Sequence, residues 1–127
     1  MEKLKIRLLD GIYAVCQFKE TAKIPNCFDE KEFFSVTKTD DEISVVMLQE
    51  MISSDIKAEK DWRILKVEGT LDFSLIGILA KISSVLAENQ ISIFVISTFN
   101  TDYILVKEEK IEKAMTVLSE EGYEISK

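Results

Sequence analysis

The chain contains no histidine, one proline, four glycines and two cysteines among its 127 residues. Without histidine the commonest general base is missing, and with it every Ser-His or Cys-His nucleophile arrangement. Carboxylates and lysines could still do chemistry, but no paired-carboxylate motif and no glycine-rich phosphate loop occurs. Cys16 and Cys27 are too few for a disulfide framework. With no histidine and no clustered cysteine pair, the sequence predicts no metal site, and each cysteine reads as a small buried apolar residue. The scarcity of proline and glycine argues against a long flexible linker. No apolar run reaches the roughly 18 residues that a membrane span needs. The opening Met1-Glu2-Lys3-Leu4-Lys5 lacks the apolar stretch of a signal peptide. A cytoplasmic protein with no membrane partner is therefore expected. Net charge is −7, which repels a polyanion, so nucleic acid is not an expected partner. No cofactor is indicated.

What is present is periodicity. Leu4, Ile6 and Leu8 share one strand face; Ile12, Ala14, Cys16 and Phe18 share another. Asp10-Gly11 between them is a hairpin signal, because glycine accepts positive φ. Residues 19–32 read as a loop around Pro25-Asn26. Phe33–Thr37 and Ile43–Leu48 are strand candidates, and the polar stretch 49–61 reads as a connection. Arg63–Val67 is a further strand. Leu75, Ile78, Leu79, Ile82, Val85 and Leu86 then recur at spacings of three and four, which marks one face of an amphipathic helix. That helix is expected to start near Ser74, capped by Asp72 or Ser74, with Gly77 in its first turn. Ile91–Ser97 and Tyr103–Val106 are strands flanking the turn Asn100-Thr101-Asp102. Ile111, Ala114, Met115 and Leu118 mark a second helix. Gly122 is placed for a C-terminal cap, and Tyr123–Ile125 can close with a short strand. The order from residue 62 onward is β-α-β-β-α-β, the split βαβ arrangement of ferredoxin-like α+β folds.

A weak internal repeat accompanies this pattern. Phe33-Phe34-Ser35-Val36-Thr37, with Asp40, Glu42 and Val46, echoes Ile93-Phe94-Val95-Ile96-Ser97, with Asn100, Asp102 and Val106. The first half lacks the helix of the second. It reads as a strand-rich, degenerate counterpart, unless the likeness is chance between two apolar strand pairs. The expected division is 1–61 and 62–127.

Three stretches carry a family resemblance: Trp62–Gly69, Leu71–Ala80 and Ile93–Val106. They resemble the ACT units of aspartate kinases and of the animal cytosolic arginine sensors, as found in small tandem ACT-domain proteins. Gly11 through Ile24-Pro25 to Ser44 is similar to the N-terminal half of those small proteins. The resemblance implies a ferredoxin-like ACT domain over 62–127, preceded by a degenerate ACT-like half, and no catalytic residues. It also implies that an amino acid binds at the loop before the first helix: Asp72, Phe73, Ser74, Leu75, Ile76, Gly77 and Ile78. Thr98, Phe99 and Asp102 would face that loop. Ile76 stands where relatives often carry Thr, so no hydroxyl is offered there.

The residues make a physical case of their own. A helix start leaves amide N–H groups unpaired with partial positive charge, and a carboxylate or phosphate suits it. A glycine in a first helical turn costs roughly 1 kcal/mol relative to alanine. Close approach of a ligand would offset that cost, as would close packing of the helix on its sheet. Asp102 could pair with a ligand ammonium or guanidinium, or simply bond its own turn backbone. Phe99 could pack on a ligand or on another subunit. Uncovered sheet edges predict a homodimer. Two functions follow: a small-molecule-binding, non-enzymatic regulatory module, or a structural or protein-interaction module whose ligand pocket is vestigial.

Overall fold

The computed structural model describes residues 4–68 and 77–127. It divides into two compact units, one combining Met1–Asp10 with Arg63–Lys127 and the other formed by Gly11–Trp62. The first ten residues thus belong with the C-terminal unit.

In the C-terminal unit the strands are β1 (Lys5–Leu8), the second half of β5 (Lys57–Glu68), β6 (Ile93–Ser97), β7 (Asp102–Lys107) and β8 (Glu124–Ser126). The helices are α1 (Ile78–Glu88) and α2 (Ile111–Glu120). β6 pairs antiparallel with β7, and β7 also pairs with β5. On the other side β1 lies antiparallel to β5, with Ile6 opposite Val67, and parallel to β8, with Ile6 opposite Ile125. The β-α-β-β-α-β order is therefore present, but the sheet holds a fifth strand. β1 is inserted between β5 and β8.

One face of this sheet is apolar because side chains alternate with period two. Ile6, Leu8, Leu65, Val67, Ile104 and Val106 pack there against Ile82, Val85 and Leu86 of α1 and Ile111, Ala114, Met115 and Leu118 of α2. The three-and-four spacing of the helix residues gives each helix one stripe to bury. Gly122, at φ 98, ends α2; its N–H donates to Ser119 O, and Tyr123 N–H to Leu118 O. These bonds satisfy carbonyls that the helix end would leave bare.

The N-terminal unit comprises β2 (Tyr13–Phe18), β3 (Ser35–Lys38), β4 (Ile43–Leu48) and the first half of β5. β2 pairs with β4 and β5, and β3 with β4, all antiparallel. Its core gathers Ala14, Cys16, Phe18, Cys27, Ile43, Val45 and Met47.

Three expectations are corrected. The runs flanking Asp10-Gly11 do not form a hairpin, since β1 pairs with β5 and β8 whereas β2 pairs with β4 and β5. Gly11 does take a positive φ of 96, so its conformation was legible although its partners were not. Residues 57–61 are strand rather than connection. Their polarity reflects exposure, and backbone pairing to β2 holds them. Asp61 adopts φ 68 where the β2–β5 register shifts. The Gln49 side chain holds it there, accepting from Asp61 N at 2.7 Å and donating to its carboxylate at 3.0 Å. Finally, α1 starts at Ile78 and not near Ser74. Gly77 sits just before the helix at φ 85, a left-handed conformation that cannot continue into a first helical turn.

Candidate functional site

The expected site comprises the helix-start loop and the β6–β7 turn. Of the loop, Asp72, Phe73, Ser74, Leu75 and Ile76 lie outside the described residues. Gly77 and Ile78 are described. Gly77 is exposed and is the residue that precedes α1. Its carbonyl accepts from Lys81 N at 2.9 Å, the first bond of the helix. It offers no side chain to cap the amides of the first turn, and the expected capping residues Asp72 and Ser74 lie outside the described residues. A Cβ built on Gly77 would meet nothing within 4 Å, so the glycine is required by backbone conformation and not by a close neighbour. Ile78 turns inward and packs against the core.

The β6–β7 turn is built by a short ladder of bonds. Ser97 lies opposite Asp102, and its hydroxyl donates to Asp102 Oδ1 at 2.5 Å. Thr98 N–H donates to Thr101 O at 2.8 Å, and Thr101 N–H to Thr98 Oγ1 at 3.4 Å. Thr98, Phe99 and Asp102 all belong to this turn. Thr98 is exposed, Phe99 is 96% exposed, and Asp102 is half-buried. Part of the Asp102 carboxylate is engaged by Ser97, and the remaining lone pairs can accept from another donor.

Sequence reasoning missed what fixes this turn. Thr101 is only 5% exposed, and its hydroxyl donates to Val67 O at 2.6 Å. The turn is thereby tied to the end of β5, next to Glu68, where that strand finishes. A threonine in an Asn-Thr-Asp turn gives no signal of such a long-range bond. A second feature also went unread. In the N-terminal unit a pocket is lined by Cys27, Glu30, Glu32, Phe33, Phe34, Met47, Leu48 and Met51. None of these residues was singled out as functional.

Among the described residues, no group of three or more His, Cys, Asp or Glu side chains could hold a metal ion. No described helix is long and apolar enough to cross a membrane.

Two helices on one face of a mainly antiparallel sheet, in β-α-β-β-α-β order, define a ferredoxin-like α+β domain. The family model for the ACT domain matches residues 57–120, half of the sequence. The chain belongs to the ACT-domain family. A second family model, of an N-terminal domain, matches residues 11–55. The human protein named cytosolic arginine sensor for mTORC1 subunit 1 is 36% identical over 94 residues, covering 68% of this chain and 29% of that protein. The chain thus spans about three-tenths of the length of that relative. A crystal structure of an Agobacterium tumefaciens protein is 33% identical, covers 100% of this chain and 96% of its own, and superposes with a TM-score of 0.89. Clostridium acetobutylicum aspartate kinase shares the fold at a TM-score of 0.68 and 14% identity, covering 94% of this chain and 34% of the kinase.

Proposed function

We propose that this protein is a non-catalytic regulatory module that binds a small molecule, an amino acid by class, between the loop leading into α1 and the β6–β7 turn. The observation that carries the reading is the helix start. Gly77 places no side chain over the first-turn amides of α1, and a Cβ built there would meet none of the described residues within 4 Å. Unpaired amides and the helix dipole favour a carboxylate there. Asp102 supplies the opposite charge for an ammonium or guanidinium group, and exposed Phe99 supplies apolar surface. The segment Asp72, Phe73, Ser74, Leu75 and Ile76 completes the proposed site. The similarity to a protein named an arginine sensor supports an amino acid over other anions.

The second reading, an interaction module with a vestigial pocket, draws on the near-complete exposure of Phe99 and on the missing hydroxyl at Ile76. A thermal-shift panel of the twenty amino acids at millimolar concentration separates the two. A ligand at a hundred times its Kd stabilises the folded state by about 2.7 kcal/mol, which raises Tm by several degrees in a chain of this size. A rise for one amino acid or a related group, reduced in Asp102→Asn, supports the sensor. No rise for any of the twenty removes the amino-acid reading.

A further inference from the structure

The two units cover their apolar sheet faces differently. In the C-terminal unit α1 and α2 do so. The N-terminal unit holds no α-helix among the described residues. Loop side chains, Ile24, Cys27, Ile52 and Ile56, pack over its core strands instead. That cover stops short at β3, which pairs only with β4 among the described strands. Phe28 is 75% exposed, and its ring meets Phe34 edge-on at a centroid distance of 5.0 Å. Phe34 packs against the core, and Phe34 and Met51 line one pocket over the buried Cys27. Val36 lies opposite the core residue Val45, on the same face as Phe34. Three of the four large hydrophobic side chains exposed among the described residues, Phe28, Val36 and Met51, are therefore gathered here. Single exposed apolar residues are ordinary on a surface, whereas a contiguous group marks a place of contact.

We propose that this patch docks an amphipathic, lysine- or arginine-rich helix of a partner protein. The charges select that partner. Both charged residues that line the pocket are acidic, Glu30 and Glu32. Their fields reach into it: after burial, these two carboxylates push the Cys27 thiol's pKa up. Asp29 adds an exposed carboxylate beside Phe28, and Lys31 is exposed but does not line the pocket. Cations of the helix meet Glu30 and Glu32, and the chain's net charge of −7 draws them in. The apolar side of the helix replaces water over Phe28, Phe34 and Met51. Aromatic and methionine side chains suit such a seat, because the flexible thioether adapts to the anchor it receives. A helix is also the element that covers the sheet face in the other unit. A second copy of this chain fits less well, since it brings the same acidic border to a two-fold contact. This inference does not rest on the amino-acid reading, which concerns residues of the other unit.

The test uses the full chain at physiological ionic strength. The probe is a fluorescein-labelled synthetic peptide of leucine and lysine, about 14 residues or four helical turns long, with its leucines on one helical face. Fluorescence anisotropy is expected to saturate at one peptide per chain. An isomer with the same leucines spread around the helix, and a leucine–glutamate analogue, are expected to bind about tenfold more weakly. Phe28→Ser, and separately Glu30→Gln with Glu32→Gln, should each weaken the probe about fivefold or more. All three positions are exposed, so the variants keep the fold, which an unchanged thermal melt verifies. Glu108→Gln with Glu109→Gln removes the same charge from exposed positions of the other unit and should leave the affinity as it is. An equal loss in that control pair, or equal binding of the spread isomer, would reduce the effect to net charge and overturn the proposal. So would wild-type affinity in Phe28→Ser, or no binding of the probe at all. A chain whose mass by light scattering halves on Phe28→Ser would show a second copy on the patch, which also overturns it.

Discussion

Thr101 illustrates how one side chain can position a site without entering it. It is the single buried polar residue among the described ones, and its hydroxyl donates a hydrogen bond to the Val67 carbonyl. Thr101→Val keeps the shape and leaves that carbonyl short of a donor. A loss of about 1–2 kcal/mol is expected, seen as a lower urea midpoint with an unchanged m-value. Glu68, one residue further along β5, accepts from Arg7 Nε at 2.5 Å, with Lys66 Nζ at 3.8 Å. The Arg7 hydrogen bond is the largest cause that lowers its pKa below the ordinary 4.5. A carboxylate with a depressed folded pKa stabilises fully above its unfolded value, and that stabilisation is lost as pH falls through the folded one. The stability gap between wild type and Glu68→Gln should therefore be constant from pH 7 down to about 5 and shrink below pH 4.5. The side chain is 29% exposed, and solvent screening keeps the gap under about 1 kcal/mol. Residue identity was enough to flag Gly77 as unusual. It was not enough to tell a strained first turn from the left-handed residue that precedes the helix, because both explain a glycine there.

At the scale of elements, α2, β4 and the β6–β7 pair were legible to within a residue or two. Their apolar spacing reports a face that must be buried whatever covers it. The start of α1 was less legible. Leu75 shares the helical spacing but lies outside the described residues, and Gly77 at φ 85 sets where the described helix begins. β1 shows the opposite failure. Its alternation predicted a strand, but its partners come from β5 and β8, some 60 and 120 positions away in the chain. Ile6 is fully buried between them, and Ile6→Ala should cost about 2–5 kcal/mol. Expressed alone, residues 63–127 lack this strand, which leaves β8 without its partner and the apolar edge of β5 bare. Such a fragment is expected to show no cooperative thermal transition by circular dichroism, while the full chain melts in one. A cooperative fragment melt would show that β1 is dispensable.

At the scale of the molecule, the matter is which surfaces remain for other molecules. β6 pairs only with β7 among the described strands, and Phe99 projects beside its end, 96% exposed. An edge that no described strand pairs, next to an exposed aromatic, favours association with a second copy. Size-exclusion chromatography with light scattering at micromolar concentration should give twice the 14.5 kDa chain mass, and Phe99→Asp should shift it towards the monomer. A monomeric wild type would remove the homodimer. The sequence by itself determined the class of fold, the two helical faces, the strand list from residue 63 onward and the family, because these depend on local periodicity and on residue order. Only the tertiary structure decided that β1 joins the C-terminal sheet, that Thr101 pins the β6–β7 turn, and that Cys27 meets Met51. Each of those is a contact between distant positions. A hydrogen bond or sulfur pair of that kind leaves no periodic trace, since it constrains two single residues and no repeating face.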